Sequence, residues 1–434
     1  MRIGFYTFGC KLNQFETDAL VSALRGKGCL IVKEDQPADA YVVNTCTVTA
    51  RADHKARALV RSLARRHPHS TIVVTGCSAQ VEARRLAALG DNVVVVPQDR
   101  KDRLVELPRL LASGRAPSAL LQEINDAVPT GPFALPAASY GFHARAYLKI
   151  QDGCDCSCAY CRVPMARGRS VCLDAEEAIR RAAYLEASGF REIVLTGVNV
   201  SSYRFRGMSL GGLLRGVLSA TDKARLRVSS LEPEAVSPQL AAELAHPRVC
   251  PHFHLPVQSG SDAVLRGMRR RYASARVLEA VSLLRDVKGD PFLAADLITG
   301  YPGEGPEEFS LTRTLVERAG FAALHVFPFS PRPGTPAATL LPRIPESERT
   351  RRARELIELS RRLGSEYSRR WVGRSVEVLL EQEAPRGIRG VTENYLKVLV
   401  TGVPRDAPWQ GRTAAARILE SAPEGTAAFL RFGP

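Results

Sequence analysis

Four of the chain's ten cysteines fall within residues 151–161, QDGCDCSCAYC, and three of them stand at the spacing Cys154-x3-Cys158-x2-Cys161. A free cysteine can pack as a small hydrophobe. Four of them within eight residues, beside Asp152, Asp155 and Ser157, suit a metal loop better than a core. Three thiolates on one loop can hold three corners of a [4Fe–4S] cluster and leave one iron open to a ligand from outside the protein. A zinc knuckle and a stray disulfide are the alternatives. Zinc takes four ligands, usually as two separated pairs, and no second CxxC or HxxxH pair lies nearby. Cys156 lies inside the loop but off the spacing and reads as a bystander.

A second set of cysteines is dispersed. Cys10 in TFGC, Cys46 in NTCT and Cys77 in TGCS each follow an apolar stretch, at intervals of 36 and 31 residues. Each interval fits one strand–helix–strand unit. If the stretches are parallel strands, the three thiols converge beyond their carboxyl ends, where open sheets bind ligands. Three convergent thiols without a fourth partner again suit a cluster with one open iron; three unrelated buried cysteines are the other reading. Gly9 and Gly76, directly before two of these cysteines, allow close backbone approach.

Placing both sets calls for sheets. Residues 1–115 alternate strands (3–8, 39–43, 71–75, 92–96) with helices (13–25, 51–66, 79–89), the pattern of a parallel, Rossmann-like α/β sheet covered on both faces. Residues 116–142 carry Pro117, Pro129, Pro132 and Pro136 among small polar residues and read as a linker. Six further strands, at 146–150, 192–195, 225–229, 252–255, 292–298 and 323–327, predict a partial (β/α)6 barrel. In such barrels the chemistry sits at the carboxyl ends of the strands, so the cysteine loop after the first strand lands on that face. TGVN (196–199), SSLEP (229–233), PVQSGS (256–261) and GYPGE (300–304) follow the later strands and together describe one continuous rim. His252 and His254 share a face of their strand, with hydrogen-bonded structural roles expected for both. Residues 346–370 predict a long helix with eight arginines against five glutamates, either a solvated face or a phosphate-binding one. From 375 onward the pattern is β-rich and predicts a small antiparallel barrel of about 60 residues, an architecture common among oligonucleotide binders. A purely structural cap is the alternative.

The chain has 434 residues, 45% of them hydrophobic and 24% charged, enough for several domains with large cores. Sixty Lys and Arg against 45 Asp and Glu give a formal charge of +15, which favours a polyanionic partner such as nucleic acid. A genome that codes arginine in place of lysine accounts for the choice of Arg but not for the surplus. No apolar run approaches the roughly 20 residues that span a bilayer. Met1 leads into RIGFYTFGC, which has neither the apolar core nor the cleavage site of a signal peptide. A monomeric cytosolic protein off the membrane is expected, in a compartment where clustered cysteines favour metals over disulfides.

With the cysteine spacing in hand, the chain resembles the radical S-adenosylmethionine superfamily, and QDGCDCSCAYC is similar to its methylthiotransferase branch. TFGCKLNQFETDAL, VVNTCTVTARAD, VTGCSAQ, HLPVQSGS, DLITGYPGE and HVFPFSPRPGTPA extend the resemblance over essentially the whole chain. It implies an amino-terminal cluster domain (1–115), a radical core (143–370) and a carboxy-terminal RNA-binding TRAM barrel (371–434). Implied catalytic and metal-holding residues are Cys154, Cys158 and Cys161 for one [4Fe–4S] cluster and Cys10, Cys46 and Cys77 for a second. Implied cofactor contacts, to S-adenosylmethionine, are Tyr160, Gly197, Asn199, Glu232, Gln258 and Asp296. In RVPMARGRSVC, Arg167 and Arg169 are candidates for a cofactor carboxylate or an RNA phosphate. TFGCKLNQ resembles the subgroup that acts on tRNA, methylthiolating C2 of N6-threonylcarbamoyladenosine next to the anticodon. One adenosylmethionine would yield the radical that removes the C2 hydrogen, and a second would methylate the sulfur. Isopentenyladenosine in tRNA, a ribosomal protein, and a non-catalytic iron–sulfur RNA-binding role are the competing readings. The sulfur donor and the reductant have no signature in the sequence.

Overall fold

The computed structural model describes the chain except residues 34–35, 48, 114–116, 127, 129, 136–143, 403–408, 422–427 and 432–434, and omits the side chains of 117, 118, 120, 121, 125 and 428–431. Five apolar segments build the first sheet: β1 (Arg2–Thr7), β2 (Leu30–Val32), β3 (Ala40–Thr45), β4 (Thr71–Gly76) and β5 (Val93–Val95). All run parallel, in the order β2-β1-β3-β4-β5. Successive side chains of a strand point to opposite faces, and both faces here are covered. Val42, Val73 and Val94 enter one apolar cluster, and Tyr41, Val43, Ile72 and Val74 enter another. The edge strand β2 carries three half-exposed or exposed residues, too few to show a pattern in the sequence.

Two expectations for this region change. The single helix expected over 79–89 is two short ones, Cys77–Val81 and Ala83–Ala87. Glu82 breaks it: its φ is −134°, and its carboxylate turns outward to Arg162 at 3.0 Å and Arg57 at 3.7 Å. The 116–142 stretch holds a helix, Pro117–Asp126, opening on a proline, which suits a first helical turn. Its Ile124, with Leu135 further on, joins the core of the first sheet. Pro129 and Pro136 lie outside the described residues.

The central unit is the expected partial barrel. Its strands are β6 (Ala146–Lys149), β7 (Glu192–Thr196), β8 (Arg225–Val228), β9 (His252–Gln258), β10 (Phe292–Thr299) and β11 (Ala323–Pro328). They are parallel and neighbour one another in chain order, as two three-stranded sheets joined by a bridge between Leu226 and Val249. The largest apolar cluster, with Leu148, Leu195, Leu226, Phe253 and Leu297, fills this unit and the helices around it. The register of β9 slips between Leu255 and Gln258, at Pro256, which has no N–H to give to a ladder. A long helix, Glu346–Arg369, packs along β11.

The last unit closes as a ring of β12 (Ser375–Ala384), β13 (Gly387–Thr392), β14 (Lys397–Thr401), β16 (Ala428–Arg431) and β15 (Thr413–Ser421). Every pair is antiparallel except β14 with β16. Five strands cannot alternate direction around a closed ring, so one parallel pair is required.

Two buried ion networks fasten the three units together. In the first, Glu16 of the helix Lys11–Gly26 meets Lys101 at 2.5 Å, Lys149 of β6 at 3.1 Å and Arg167 at 2.8 Å. Burial opposes ionisation of Glu16, but Arg167 and Lys101 outweigh it and hold the carboxyl well below its usual range. In the second, Glu192 of β7 pairs with Arg225 and Arg227 of β8, each at 2.7 Å. The two guanidinium groups also donate to the carbonyls of Val391, Thr392 and Glu393 in the terminal ring.

Candidate active site

The topology brings the dispersed cysteines together. Strands β1, β3 and β4 are adjacent, and each is followed by one of the three. Cys10 caps the helix Lys11–Gly26, Cys46 follows β3 directly, and Cys77 opens the helix Cys77–Val81. A Cβ on Gly9 would lie 3.0 Å from Cys46 Sγ, and one on Gly76 would lie 2.3 Å from the Thr45 carbonyl oxygen. Both glycines have left-handed φ, +115° and +96°, where other residues are strained. Gly76→Ala is therefore expected to cost about 2–3 kcal/mol and to displace Cys77, seen as a lower melting temperature together with a lower iron content.

The compact cysteine loop follows β6, and its donors fit iron better than zinc. Each of the three spaced sulfurs accepts one N–H. The Cys156 backbone donates to Cys154 Sγ at 3.3 Å, Arg270 Nη1 to Cys158 Sγ at 3.4 Å, and the Val163 backbone to Cys161 Sγ at 3.4 Å. Hydrogen bonds to sulfur are among the groups that tune iron–sulfur clusters. Burial pushes the Cys158 thiol up and Cys161 to about 11, so near neutral pH these thiols keep their protons in water, and a bound metal would displace them. The loop's fourth thiol, Cys156, stands off the Cys154-x3-Cys158-x2-Cys161 spacing. Cys156 contributes its backbone.

Two cavities open here. One of about 470 Å³ lies beside Cys154 and is lined by Asn199, Ser201 and Glu232. Asn199 Oδ1 is buried without a hydrogen-bond partner among the described residues. Burial pushes the Glu232 carboxyl up to about 7, against the pull of Arg270, so Arg270 joins Glu232 to the Cys158 sulfur. The other cavity, about 1030 Å³, is walled by all three units: Cys10 and Cys46 from the first sheet, Gly197 and Asp296 from the barrel rim, and Tyr395 and Lys397 from the terminal ring.

Of the six residues expected to contact the cofactor, Asn199 and Glu232 face the smaller cavity, while Gly197 and Asp296 face the larger. Tyr160 and Gln258 lie outside both linings; Gln258 is 7% exposed and sits at φ +66°. Asp296 already has partners, since its Oδ1 meets His254 Nε2 at 2.8 Å and His325 Nδ1 at 3.1 Å. Burial would raise this carboxyl, but the two hydrogen bonds hold it at about 2. His254 is hydrogen-bonded as expected, with its other nitrogen 2.7 Å from Ser230 Oγ. His252 is different: its ring stacks on Tyr395 at 3.9 Å, and its buried Nδ1 has no partner among the described residues.

The reading of Arg167 gives way. Its guanidinium is buried and occupied by Glu16, Asp152 and Asn13 Oδ1, the last at 2.8 Å, which leaves nothing for a phosphate. Arg169 is exposed and stands 3.4 Å from Asp155. On the long helix, Arg351, Arg352 and Arg362 pair with glutamates, while Arg361 faces the large cavity. Sequence reasoning missed Lys11, Arg270, His325 and Tyr395. Tyr395 is a non-glycine residue at φ +68° in the turn between β13 and β14, and nothing in ENYL marks it as a cavity wall.

Residues 148–316 match the Radical SAM superfamily, and residues 2–97 match the Uncharacterized protein family UPF0004. The radical S-adenosylmethionine methyltransferase TsrM of Kitasatospora setae superposes with a TM-score of 0.56 at 16% identity, over 78% of this chain and 75% of that one. Fold and cysteine loop thus define a radical S-adenosylmethionine enzyme, a class built on a [4Fe–4S] cluster and that cofactor. The threonylcarbamoyladenosine tRNA methylthiotransferase MtaB of Treponema pallidum is 39% identical over 90% of this chain and 93% of its own length. The Bacillus subtilis protein of that name is 34% identical over 92% and 90%. A tRNA-2-methylthio-N(6)-dimethylallyladenosine synthase of Geobacter metallireducens is also 34% identical, over 92% of both chains. The chain belongs to the radical S-adenosylmethionine methylthiotransferase family.

Proposed function

We propose that the protein converts N6-threonylcarbamoyladenosine, next to the anticodon of tRNA, to its 2-methylthio derivative. The observation that carries this reading is the cavity of about 1030 Å³ with Cys10 and Cys46 on one wall and residues of the barrel that carries the cysteine loop on another, a space large enough for a base. Cys154, Cys158 and Cys161 would hold the radical-generating cluster, and Cys10, Cys46 and Cys77 a second one. When bound, the first cluster with S-adenosylmethionine supplies radical hydrogen abstraction, which an unactivated C2–H requires, and the second supplies sulfur.

The chain's own residues do the positioning. Arg270 orients Cys158 and Glu232 together. The buried Asn199 Oδ1 supplies an acceptor for a cofactor donor in the smaller cavity. The ions around Glu16 and Arg167 fix the helix that carries Cys10 against the segment that follows the cysteine loop. The stacked His252 and Tyr395 narrow the larger cavity. Arg361 and Lys397, on the same lining, suit tRNA phosphates. We assign 1–115 to the cluster domain, 116–142 to a connecting stretch, 143–370 to the radical core and 371–434 to the RNA-binding barrel of a cytosolic monomer.

Residues 371–434 carry eight Lys and Arg against seven Asp and Glu, so the basic surplus lies elsewhere on the chain. A near-neutral barrel taken alone favours a ribosomal-protein substrate; the named activities of the relatives and the cationic cavity favour tRNA. Nucleoside mass spectrometry of tRNA from cells with and without the gene is the test. The methylthio form of the threonylcarbamoyl nucleoside should disappear from the deletion strain, and an unchanged level would refute the reading.

A further inference from the structure

The large cavity holds a charge that the protein leaves unmatched. Its two protein carboxylates already have partners: Asp296 is held by His254 and His325, and Glu381 is 2.9 Å from Arg145. Lys11, half-buried on the same lining, pairs with no carboxylate among the described residues. The ring of Tyr395 lies 5.9 Å from its Nζ. Arg145 and Arg227 also lie over that ring, at 5.9 and 5.0 Å, but each has a carboxylate of its own, Glu381 and Glu192, so of the three cations around Tyr395 it is Lys11 that has none among the described residues. A cation out of bulk water favours an anionic partner.

We propose that Lys11 is the anion subsite for the substrate nucleoside and takes the carboxylate of its threonylcarbamoyl group, with Tyr395 as the adjoining wall. This deepens the function proposed above and rests on it. Lys11 directly follows Cys10, so the residue that grips the base substituent adjoins a thiol of the dispersed triad. A neutral prenyl substituent offers Lys11 nothing. The subsite therefore separates the two nucleosides named for relatives of equal identity.

The test uses the reconstituted full-length holoenzyme and one tRNA in two forms. The first carries the threonylcarbamoyl carboxylate; in the second, carbodiimide coupling has converted that carboxylate to a neutral amide. The wild type should methylthiolate the amide form roughly 10- to 100-fold less efficiently, through KM more than kcat, as loss of a hydrogen bond to a charged group predicts. Lys11→Met should be slow on the carboxylate form and show no further loss on the amide, and Lys11→Arg should restore part of the discrimination. Circular dichroism and bound iron confirm folding of the variants. A wild type inactive on the carboxylate form removes the proposed function itself. A wild type active on both forms alike overturns the subsite, since a lysine holding an RNA phosphate would ignore the amide. If Lys11→Met still discriminates, another residue holds the carboxylate. The wild-type comparison needs no variant to fold.

Discussion

Replacing Cys154, Cys158 and Cys161 with alanine is expected to abolish methylthiolated tRNA and to lower iron from about eight atoms per chain to about four. The loss should be complete because these sulfurs have no substitutes: each of the three accepts its own N–H, from Cys156, Arg270 and Val163. Cys156 is the internal control, being in the same loop and on the same small cavity. Its backbone N–H serves Cys154, and alanine keeps that N–H, so Cys156→Ala should keep both iron and product. Iron per chain and nucleoside mass spectrometry read the two outcomes. Iron that stays near eight in the triple variant would sink the two-cluster assignment. Product lost in Cys156→Ala would mean that the bystander reading is wrong.

The second large effect is expected far from any sulfur. Glu16 lies among Lys101, Lys149 and Arg167, all buried. Removing one member of a buried ion cluster leaves charges stranded, at about 3–5 kcal/mol. Glu16→Ala leaves Lys149 and Arg167 to share Asp152, at 2.5 and 3.1 Å, and leaves Lys101 with no carboxylate partner among the described residues. The variant should melt well below the wild type and retain less iron, because the same contact docks the first sheet onto the barrel. Glu16→Gln, which keeps the shape and one acceptor, should cost less. Equal melting temperatures for Glu16→Ala and the wild type would show that the docking does not depend on these ions.

What could be read from the chain followed from how local each signal is. The loop 151–161 announces itself because its ligands lie within eight residues. Cys10, Cys46 and Cys77 could be read because each repeats one local context, a thiol just after an apolar strand. Glu16 and Arg167 could not, because their contact spans 151 positions and neither residue departs from an ordinary surface pattern. The sequence therefore offers Arg167 as a candidate for a ligand, whereas its partners are internal. The break at Glu82 was hidden for a similar reason: helical periodicity runs through 79–89, and the bond that pulls Glu82 out of it reaches Arg162, 80 positions on. Tyr395 lay deeper still, since a left-handed tyrosine in a turn has no periodicity to betray it.

That tyrosine would tie the proposed grip on RNA to the proposed chemistry. Tyr395 belongs to the terminal ring but stacks on His252 of the central barrel and walls the large cavity. Any free energy by which tRNA contacts on the ring favour this placement must reappear, by the same factor, as tighter ring binding once the nucleoside is seated. The two events are thermodynamically reciprocal. Anticodon-loop fragments should accordingly bind the whole protein more tightly when the modified base is present, by a margin that shrinks in Tyr395→Ala. Substrate selection and RNA affinity would then be one quantity measured at two places.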